Sequence, residues 1–312
     1  MSEPEHLAIS GIAYCLPGKI VGVHEWAARC GHSAQRATSL ARNDAQRFHD
    51  ASGESPADLA TKAVRALLAA ADVAPDSIDA LIYAHTIQSS VIAPPAGTAH
   101  HIQSRARLTR ALAFSVTQQN CVSPFAAIRT VRALMANNSS IVRAVVVCAD
   151  LIAPGFDHLR AIEDIALHSD GACALLLERN GIRNRIESLY LYTDGHLLRE
   201  PIHGVQAAPS DRYYWSAFST MRAALGQAAV RPDQLICVLP HHVNLPGWHR
   251  LMTMLGIAQE RLFTRNFARI GHVFGADPFI NLHDWDCKTA GRPSLLFSSG
   301  LLGCFGAMVV RH

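Results

Sequence analysis

Ala66-Leu67-Leu68-Ala69-Ala70-Ala71-Asp72-Val73-Ala74-Pro75-Asp76-Ser77-Ile78-Asp79-Ala80-Leu81-Ile82 and Ala223-Ala224-Leu225-Gly226-Gln227-Ala228-Ala229-Val230-Arg231-Pro232-Asp233-Gln234-Leu235-Ile236-Cys237-Val238-Leu239 are two versions of one pattern. Each reads as an Ala-rich helix, a Pro-Asp turn and a buried apolar strand. Pro75 and Pro232 lie 157 positions apart, and Val73/Val230 and Asp76/Asp233 keep the same spacing. Downstream, Ser123-Pro124-Phe125 is echoed by Asp277-Pro278-Phe279 at a spacing of 154. Gly171-Ala172 is echoed by Gly306-Ala307 at 135, so the first half carries extra residues, placed here around 150–168. Three matches in one order indicate a duplicated unit. Each unit alternates apolar strands with helices, which means sheets covered on both faces. The expectation is a layered α/β protein with a pseudo-twofold axis, its halves spanning 1–180 and 181–312. In such folds sites lie beyond the carboxyl ends of the strands, so the residues just after the strands are the ones to read.

Composition narrows the function. The chain has 312 residues, 49% hydrophobic and 17% charged, with net charge +3. That is ample apolar matter for a core and excludes a mostly disordered chain. No long Lys/Arg run suggests nucleic-acid binding, and no apolar stretch reaches the roughly 18–20 residues of a membrane span. Met1–His6 is acidic where a secretory signal would be basic. None of the eight cysteines forms a C-x-x-C pair, and several sit in apolar runs such as Val145–Cys148. A reduced, cytoplasmic protein without a metal site fits that usage. Adjacent pairs such as His100-His101 and His241-His242 lack the i,i+4 spacing of a helical metal site.

Three residues stand where chemistry is expected. Cys121 follows the strand-like Ala111–Val116 and the turn Thr117–Asn120, and it precedes a helix marked by Pro124, a residue tolerated only in a first turn. A helix N-terminus favours thiolate and lowers a cysteine pKa. A buried structural cysteine is the competing reading. His241, within Pro240-His241-His242-Val243-Asn244, ends the second repeated strand and is a candidate proton acceptor; His242 competes for the role. Strand alternation points the two imidazoles in opposite directions. His272, in Gly271-His272-Val273, precedes the helix paired by duplication with the Cys121 helix. Asp277 before Pro278 reads as an N-cap.

In this order, Gln119-Asn120-Cys121-Val122-Ser123, Ser169-Asp170-Gly171-Ala172, Pro240-His241-x-x-Asn244, Gly271-His272 and Ser298–Ala307 resemble β-ketoacyl-[acyl-carrier-protein] synthase III. The likeness spans roughly residues 8–312. It implies the thiolase fold, a duplicated α-β-α-β-α stack. It implies Cys121 as the acylated nucleophile and His241 as the catalytic histidine, with Asn244 and Asp277 in support. An oxyanion hole of backbone N–H groups at the cysteine and the Gly300–Gly303 loop is implied too. So is a homodimer in which Thr86–Pro95 touches the neighbouring pocket. The acyl donor is then coenzyme A or a phosphopantetheinyl acyl carrier protein, with no covalently bound cofactor. Arg105, Arg107, Arg110, Arg129 and Arg132 could meet an acidic carrier, or form an ordinary solvated face.

Three departures shape the expected activity. Gly271-His272 stands where the family has Gly-Asn, the asparagine that helps polarise a malonyl thioester for decarboxylation. Trp26 is only a loose match to the coenzyme A-binding tryptophan segment. Leu301-Leu302 replace glycines. These features are similar to acyltransferases of specialised metabolism that keep the fold but pass the acyl group to oxygen, nitrogen or another nucleophile. The expected activity is therefore acyl transfer through Cys121, with His241 taking the acceptor's proton and His272 as a hydrogen-bond donor or second base. A decarboxylative condensing enzyme and a non-catalytic partner subunit are the alternatives.

Overall fold

The computed structural model describes residues 6–197, 211–286, 289–300 and 303–312. Leu301-Leu302, named above, and Cys287 fall outside them.

The first half runs β1 (Leu7–Cys15), β2 (Lys19–Gly22), α1 (Val23–Arg29), α2 (Ala34–Arg42), β3 (Arg47–Asp50) and α3 (Pro56–Ala71). It continues with β4 (Ala80–Ala84), α4 (Thr98–Ala106), β5 (Leu112–Val116), α5 (Ser123–Asn137), β6 (Arg143–Asp150), β7 (Ala161–Ile162), β8 (Ala166–Leu167) and β9 (Gly171–Arg179). The second half follows as β10 (Arg185–Thr193), α6 (Asp211–Gln227), β11 (Cys237–Leu239), α7 (Leu245–Leu255), α8 (Arg265–Ile270), α9 (Asp277–Asp284), β12 (Pro293–Gly300) and β13 (Cys304–Arg311).

The strand order is β11-β12-β13-β10-β1-β9-β6-β4-β5. Read outward from the centre, each half repeats the other. β9 pairs antiparallel with β1 and β6, as β13 does with β10 and β12. β4 lies parallel to β6 as β11 lies parallel to β12. The register slips once in each half, between Ile9 and Gly11 and between Ile186 and Ser188. The counterpart of β5 has shrunk to one parallel bridge, Val238 opposite Leu262. The halves join where Ala8 faces Arg185.

Two faces of each half are apolar, so the strands read as nearly unbroken hydrophobic runs. α3 and α4 cover one face of the first half through Leu59, Val64, Leu67 and Ile102. α6 and α7 do the same for the second through Met221, Leu225, Trp248 and Leu251. Between the two halves of the sheet a shared core takes Phe125, Ile128 and Val131 from α5 and Phe279, Ile280 and Leu282 from α9. The result is the α-β-α-β-α stack. The two repeated helix starts, α5 and α9, lie in its central layer.

The extra residues of the first half build a small lobe from β2, β3, α1, α2 and the β7–β8 ribbon, packed around Trp26, Leu40 and Phe48. Its anchor is a buried bidentate pair, Arg160 to Asp170 at 2.9 Å on both arms. The same carboxylate accepts the N–H groups of Ala51 and Ile152 at 2.8 and 2.9 Å. No helix among the described residues is long and apolar enough to cross a membrane.

Candidate active site

A three-residue 3-10 turn, Asn120–Val122, presents Cys121 just before α5, whose first turn holds Pro124. Its counterpart is the 3-10 turn Phe274–Ala276 before α9, whose first turn holds Pro278. The two turns pack against each other. A Cβ on Gly275 would come within 2.8 Å of the Cys121 carbonyl oxygen, so only glycine fits there. Gly300 closes the site from β12, where a Cβ would fall 2.5 Å from that of Asn120. Ser298 Oγ donates to the Cys121 carbonyl at 3.0 Å.

His272 is the histidine that meets the thiol. Its Nε2 lies 3.7 Å from Cys121 Sγ, across 151 residues of sequence. Its Nδ1 is 2.5 Å from Asp277 Oδ2. An ionised carboxylate only accepts, so the proton sits on Nδ1 and Nε2 offers its lone pair to the S–H. Asp277 is the first residue of α9, not its N-cap, which is Ala276. Its oxygens also accept from Val273 N–H at 2.6 Å and His242 N–H at 2.7 Å. Burial works against this carboxylate, but His242 and His272 on its two sides hold it well below the usual range.

His242 carries the balancing charge. Its Nδ1 faces the Gly271 carbonyl at 2.7 Å and its Nε2 the Asn281 amide oxygen at 2.8 Å. Asn281 Nδ2 donates to Pro240 O, which fixes that amide's orientation. With acceptors at both nitrogens, His242 must donate from both, as only an imidazolium can. Burial lowers its pKa, yet the neighbouring Asp277 carboxylate and the two acceptors raise it overall. The adjacent residues, just beyond the end of β11, have different partners, and both are buried.

His241 has other neighbours. Its Nε2 is 3.3 Å from Ser299 Oγ, and its Nδ1 is buried without a hydrogen-bond partner among the described residues. Its ring centre stands 6.2 Å from that of His272. Burial first, then the charges of His272 and His242, push its pKa down to about 3. That shift favours the neutral imidazole and disfavours the imidazolium that proton uptake would form.

The cysteine's electrostatics also reverse the local expectation. Its side chain is packed with Ile152, Phe274 and Ile87. Burial pushes the Cys121 thiol up, the Thr86 hydroxyl beside it pulls the other way, and the carboxylates of Asp150 and Asp277 push it further up. The 3-10 turn keeps the thiol out of the helix's first turn, and dehydration outweighs the dipole. Burial therefore favours the protonated thiol, and His272 Nε2 is the imidazole nitrogen beside it.

The remaining expected residues are distributed as follows. Asn244 caps α7, accepting from Gly247 N–H at 3.1 Å in a left-handed conformation (φ 57°). Gly303 turns at φ 95° against the Asp194 carbonyl, and Gly300 alone of the two loop glycines abuts the cysteine turn. Trp26 is fully buried in the small lobe, donating to Asp157 O at 2.8 Å, with the tilted His32 ring 4.7 Å away. It offers no face to a ligand. Arg110 pairs with Asp79 at 3.6 Å, and Arg132 donates to Ile186 O. Sequence reasoning missed Asp150, which ends β6. It accepts from Thr86 N–H and Ile87 N–H at 2.9 and 2.8 Å and from Ser90 Oγ at 2.9 Å, fixing the loop beside the thiol. Burial raises its pKa to about 7 against those donors. An acidic residue at a strand's carboxyl end was the available signal.

Comparison with known proteins identifies the framework. Residues 117–195 match 3-oxoacyl-[acyl-carrier-protein] synthase III, and residues 225–312 match that family's C-terminal region. The chain belongs to the β-ketoacyl-[acyl-carrier-protein] synthase III-like family. A family member from Ruegeria sp. (strain TM1040) is 28% identical over 275 residues, 81% of this chain and 82% of its own length. One from Aquifex aeolicus (strain VF5) is 24% identical over 237 residues, 72% of this chain and 73% of that one. Among solved structures, ChlB3, described as an acyltransferase, superposes with a TM-score of 0.84 at 18% identity, covering 98% of this chain and 97% of its own. The synthase III of Pseudomonas aeruginosa PAO1 superposes at 0.81 with 21% identity, covering 98% of both chains. These likenesses establish the thiolase fold. The family consists of ketosynthase III-type enzymes that handle acyl groups as coenzyme A or carrier-protein thioesters.

Proposed function

We propose that this protein is an acyltransferase that loads an acyl group from a coenzyme A or carrier-protein thioester onto Cys121 and passes it to a heteroatom acceptor in specialised metabolism. One observation carries the reading: the line Cys121 Sγ, His272 Nε2, His272 Nδ1, Asp277 Oδ2, with separations of 3.7 and 2.5 Å at its two contacts.

In the first half-reaction His272 Nε2 takes the thiol proton as sulfur attacks the thioester carbonyl. The tetrahedral oxyanion collapses, the carbonyl–sulfur bond of the donor breaks, and the imidazolium returns its proton to the departing thiolate. In the second, the acceptor's O–H or N–H gives its proton to the same Nε2 while attacking the acyl-cysteine. The cysteine leaves as thiolate and is reprotonated by His272. Asp277 stabilises the imidazolium at each stage. A carbon nucleophile made by decarboxylation needs no such base; it needs donors on the malonyl carbonyl. His272 Nε2, an acceptor at rest, does not supply one. The base role passes from His241 to His272, and His241 is left to donate to the substrate oxygen. The likeness to ChlB3, described as an acyltransferase, supports the same branch. Trp26, buried under His32 and Arg36, favours a carrier-protein donor over a nucleotide stacked at that residue.

We infer a homodimer as well. β5 is the free edge of the sheet, Leu112 on it is 53% exposed, and Val91 in the adjoining loop is 44% exposed. Open apolar edges are normally covered. Seven described cysteines are all free thiols, which suits the cytoplasm.

The test is intact mass after incubation with a panel of acyl-coenzyme A and acyl-carrier thioesters, run beside carbon dioxide release from carboxyl-labelled malonyl thioester. One adduct on the Cys121 peptide with little carbon dioxide supports the reading. Brisk decarboxylation coupled to a β-ketoacyl product overturns it in favour of condensation.

A further inference from the structure

We propose that Tyr213, acting through Ser299, is a positioning residue that sets which nitrogen of His241 carries the proton, leaving Nδ1–H as a donor for the oxygen of the bound acyl thioester. The inference rests on the acyl-transfer reading of the same site.

The His241 ring is held tightly. Trp248 meets it edge-on at 5.5 Å and Phe297 lies at 5.8 Å. Its backbone is fully engaged: its N–H donates to Phe297 O at 3.1 Å and its carbonyl accepts from Trp248 Nε1 at 3.0 Å. Among the described residues the side chain's one polar contact is Nε2 to Ser299 Oγ at 3.3 Å, and Ser299 Oγ is 2.8 Å from the Tyr213 hydroxyl. Ser299 sits near the end of β12, and Tyr213 in the first turns of α6. Three polar side chains from three elements therefore form one chain that ends at the unpartnered Nδ1.

A serine hydroxyl has a single proton to give, so the chain must run one way. A phenol is the stronger donor and a neutral imidazole nitrogen the stronger acceptor. The favourable order is Tyr213 O–H to Ser299 Oγ, then Ser299 O–H to His241 Nε2. Burial keeps the phenol protonated, its pKa pushed up to about 12, so the donor end of the chain is permanent at ordinary pH. A neutral imidazole whose Nε2 accepts must carry its proton on Nδ1. That N–H is then a buried donor lacking a protein partner, a costly state that an incoming carbonyl or oxyanion relieves. With the opposite order the free Nδ1 would be a lone pair, which repels an oxyanion.

The test reads the tautomer directly. Full-length protein carrying nitrogen-15 histidine, with His241→Gln to assign the signals, should show Nδ1 protonated and Nε2 accepting in the wild type. Tyr213→Phe, which removes one oxygen and keeps the ring's packing on Phe305, should shift the population toward Nε2–H. Ser299→Ala should shift it further, and Ser299→Thr should restore the wild-type pattern. In turnover, Tyr213→Phe should lower kcat about five- to tenfold, the worth of one ordinary hydrogen bond, with KM unchanged. A wild-type Nε2–H tautomer, or one that neither variant moves, overturns the proposal. So does a moved tautomer with unchanged kcat. The spectra need no acyl substrate, so failure of Cys121 to acylate would sink the functional reading while leaving this measurement decisive on its own.

Discussion

The two turns that precede α5 and α9 are the same structure with different chemistry. Each is a three-residue 3-10 turn followed by a helix with proline in its first turn. Ser123, the first residue of α5, accepts the N–H of Gln119 at 3.3 Å; Asp277, the first residue of α9, accepts that of Val273 at 2.6 Å. These are equivalent positions in the duplication. One copy uses a hydroxyl merely to close the turn. The other uses a carboxylate, which closes the turn and also orients His272 and faces His242. Within the turns, Cys121 corresponds to Gly275, and a Cβ on Gly275 would fall 2.8 Å from the Cys121 carbonyl oxygen and from the Pro124 ring, so the close approach of the two turns requires glycine there. Duplication thus supplied a matched pair of helix starts. Divergence left a thiol in one turn and an imidazole–carboxylate pair beside the other, the pair proposed above as nucleophile and base. The strand ends differ in the same way: β6 closes with Asp150, which pins the Thr86–Ser90 loop, and β12 with Gly300, which lies against the cysteine turn.

The sharpest way to break this comparison is to remove the chemistry from each turn. Cys121→Ala should abolish the acyl adduct in intact-mass measurements; an adduct that persists on another residue would dissolve the assignment. His272→Ala should slow both half-reactions, by on the order of 10²–10⁴, because one imidazole serves both. Single-turnover loading and transfer separate them, and loading at the wild-type rate would return the base to another group.

Asp277→Ser copies the first half's residue into the second. It should leave the turn closed but strand the His242 imidazolium, at a cost of about 3–5 kcal/mol in unfolding free energy by urea titration. A loss under 1 kcal/mol would mean that His242 is neutral. Gly275→Ala should cost about 1–3 kcal/mol from overpacking against the Cys121 carbonyl, with slower acyl loading. A variant as stable as wild type would show that the two turns do not touch.

A further test, of pH dependence, concerns Asp150. Its folded pKa, about 7, lies above that of an unfolded aspartate, so the folded protein holds the extra proton. That contribution is fully present below the unfolded value near 4 and is lost as pH rises through about 7. Asp150→Asn should therefore flatten the fall in urea midpoint between pH 5 and 7.5 relative to wild type. Identical slopes would place the carboxylate in water.

Much of the framework was legible because its signals are local or periodic. The Pro75 and Pro232 turns, the strands that follow them and the helix starts at Pro124 and Pro278 all stand where the repeats predict. The site was legible as a set of residues but not as a set of partners.

The sequence by itself determined the duplication, the layered α/β architecture and the cysteine placed just before a helix, because hydrophobic period and proline stereochemistry act within a few residues. Only the tertiary structure decided that His272, not His241, meets the thiol, since that contact spans 151 residues and depends on two turns facing each other across the pseudo-twofold axis. It also decided the protonation of the nucleophile. The helix start is a local feature that lowers a thiol's pKa, but burial is a property of the whole fold, and at Cys121 burial is the larger effect.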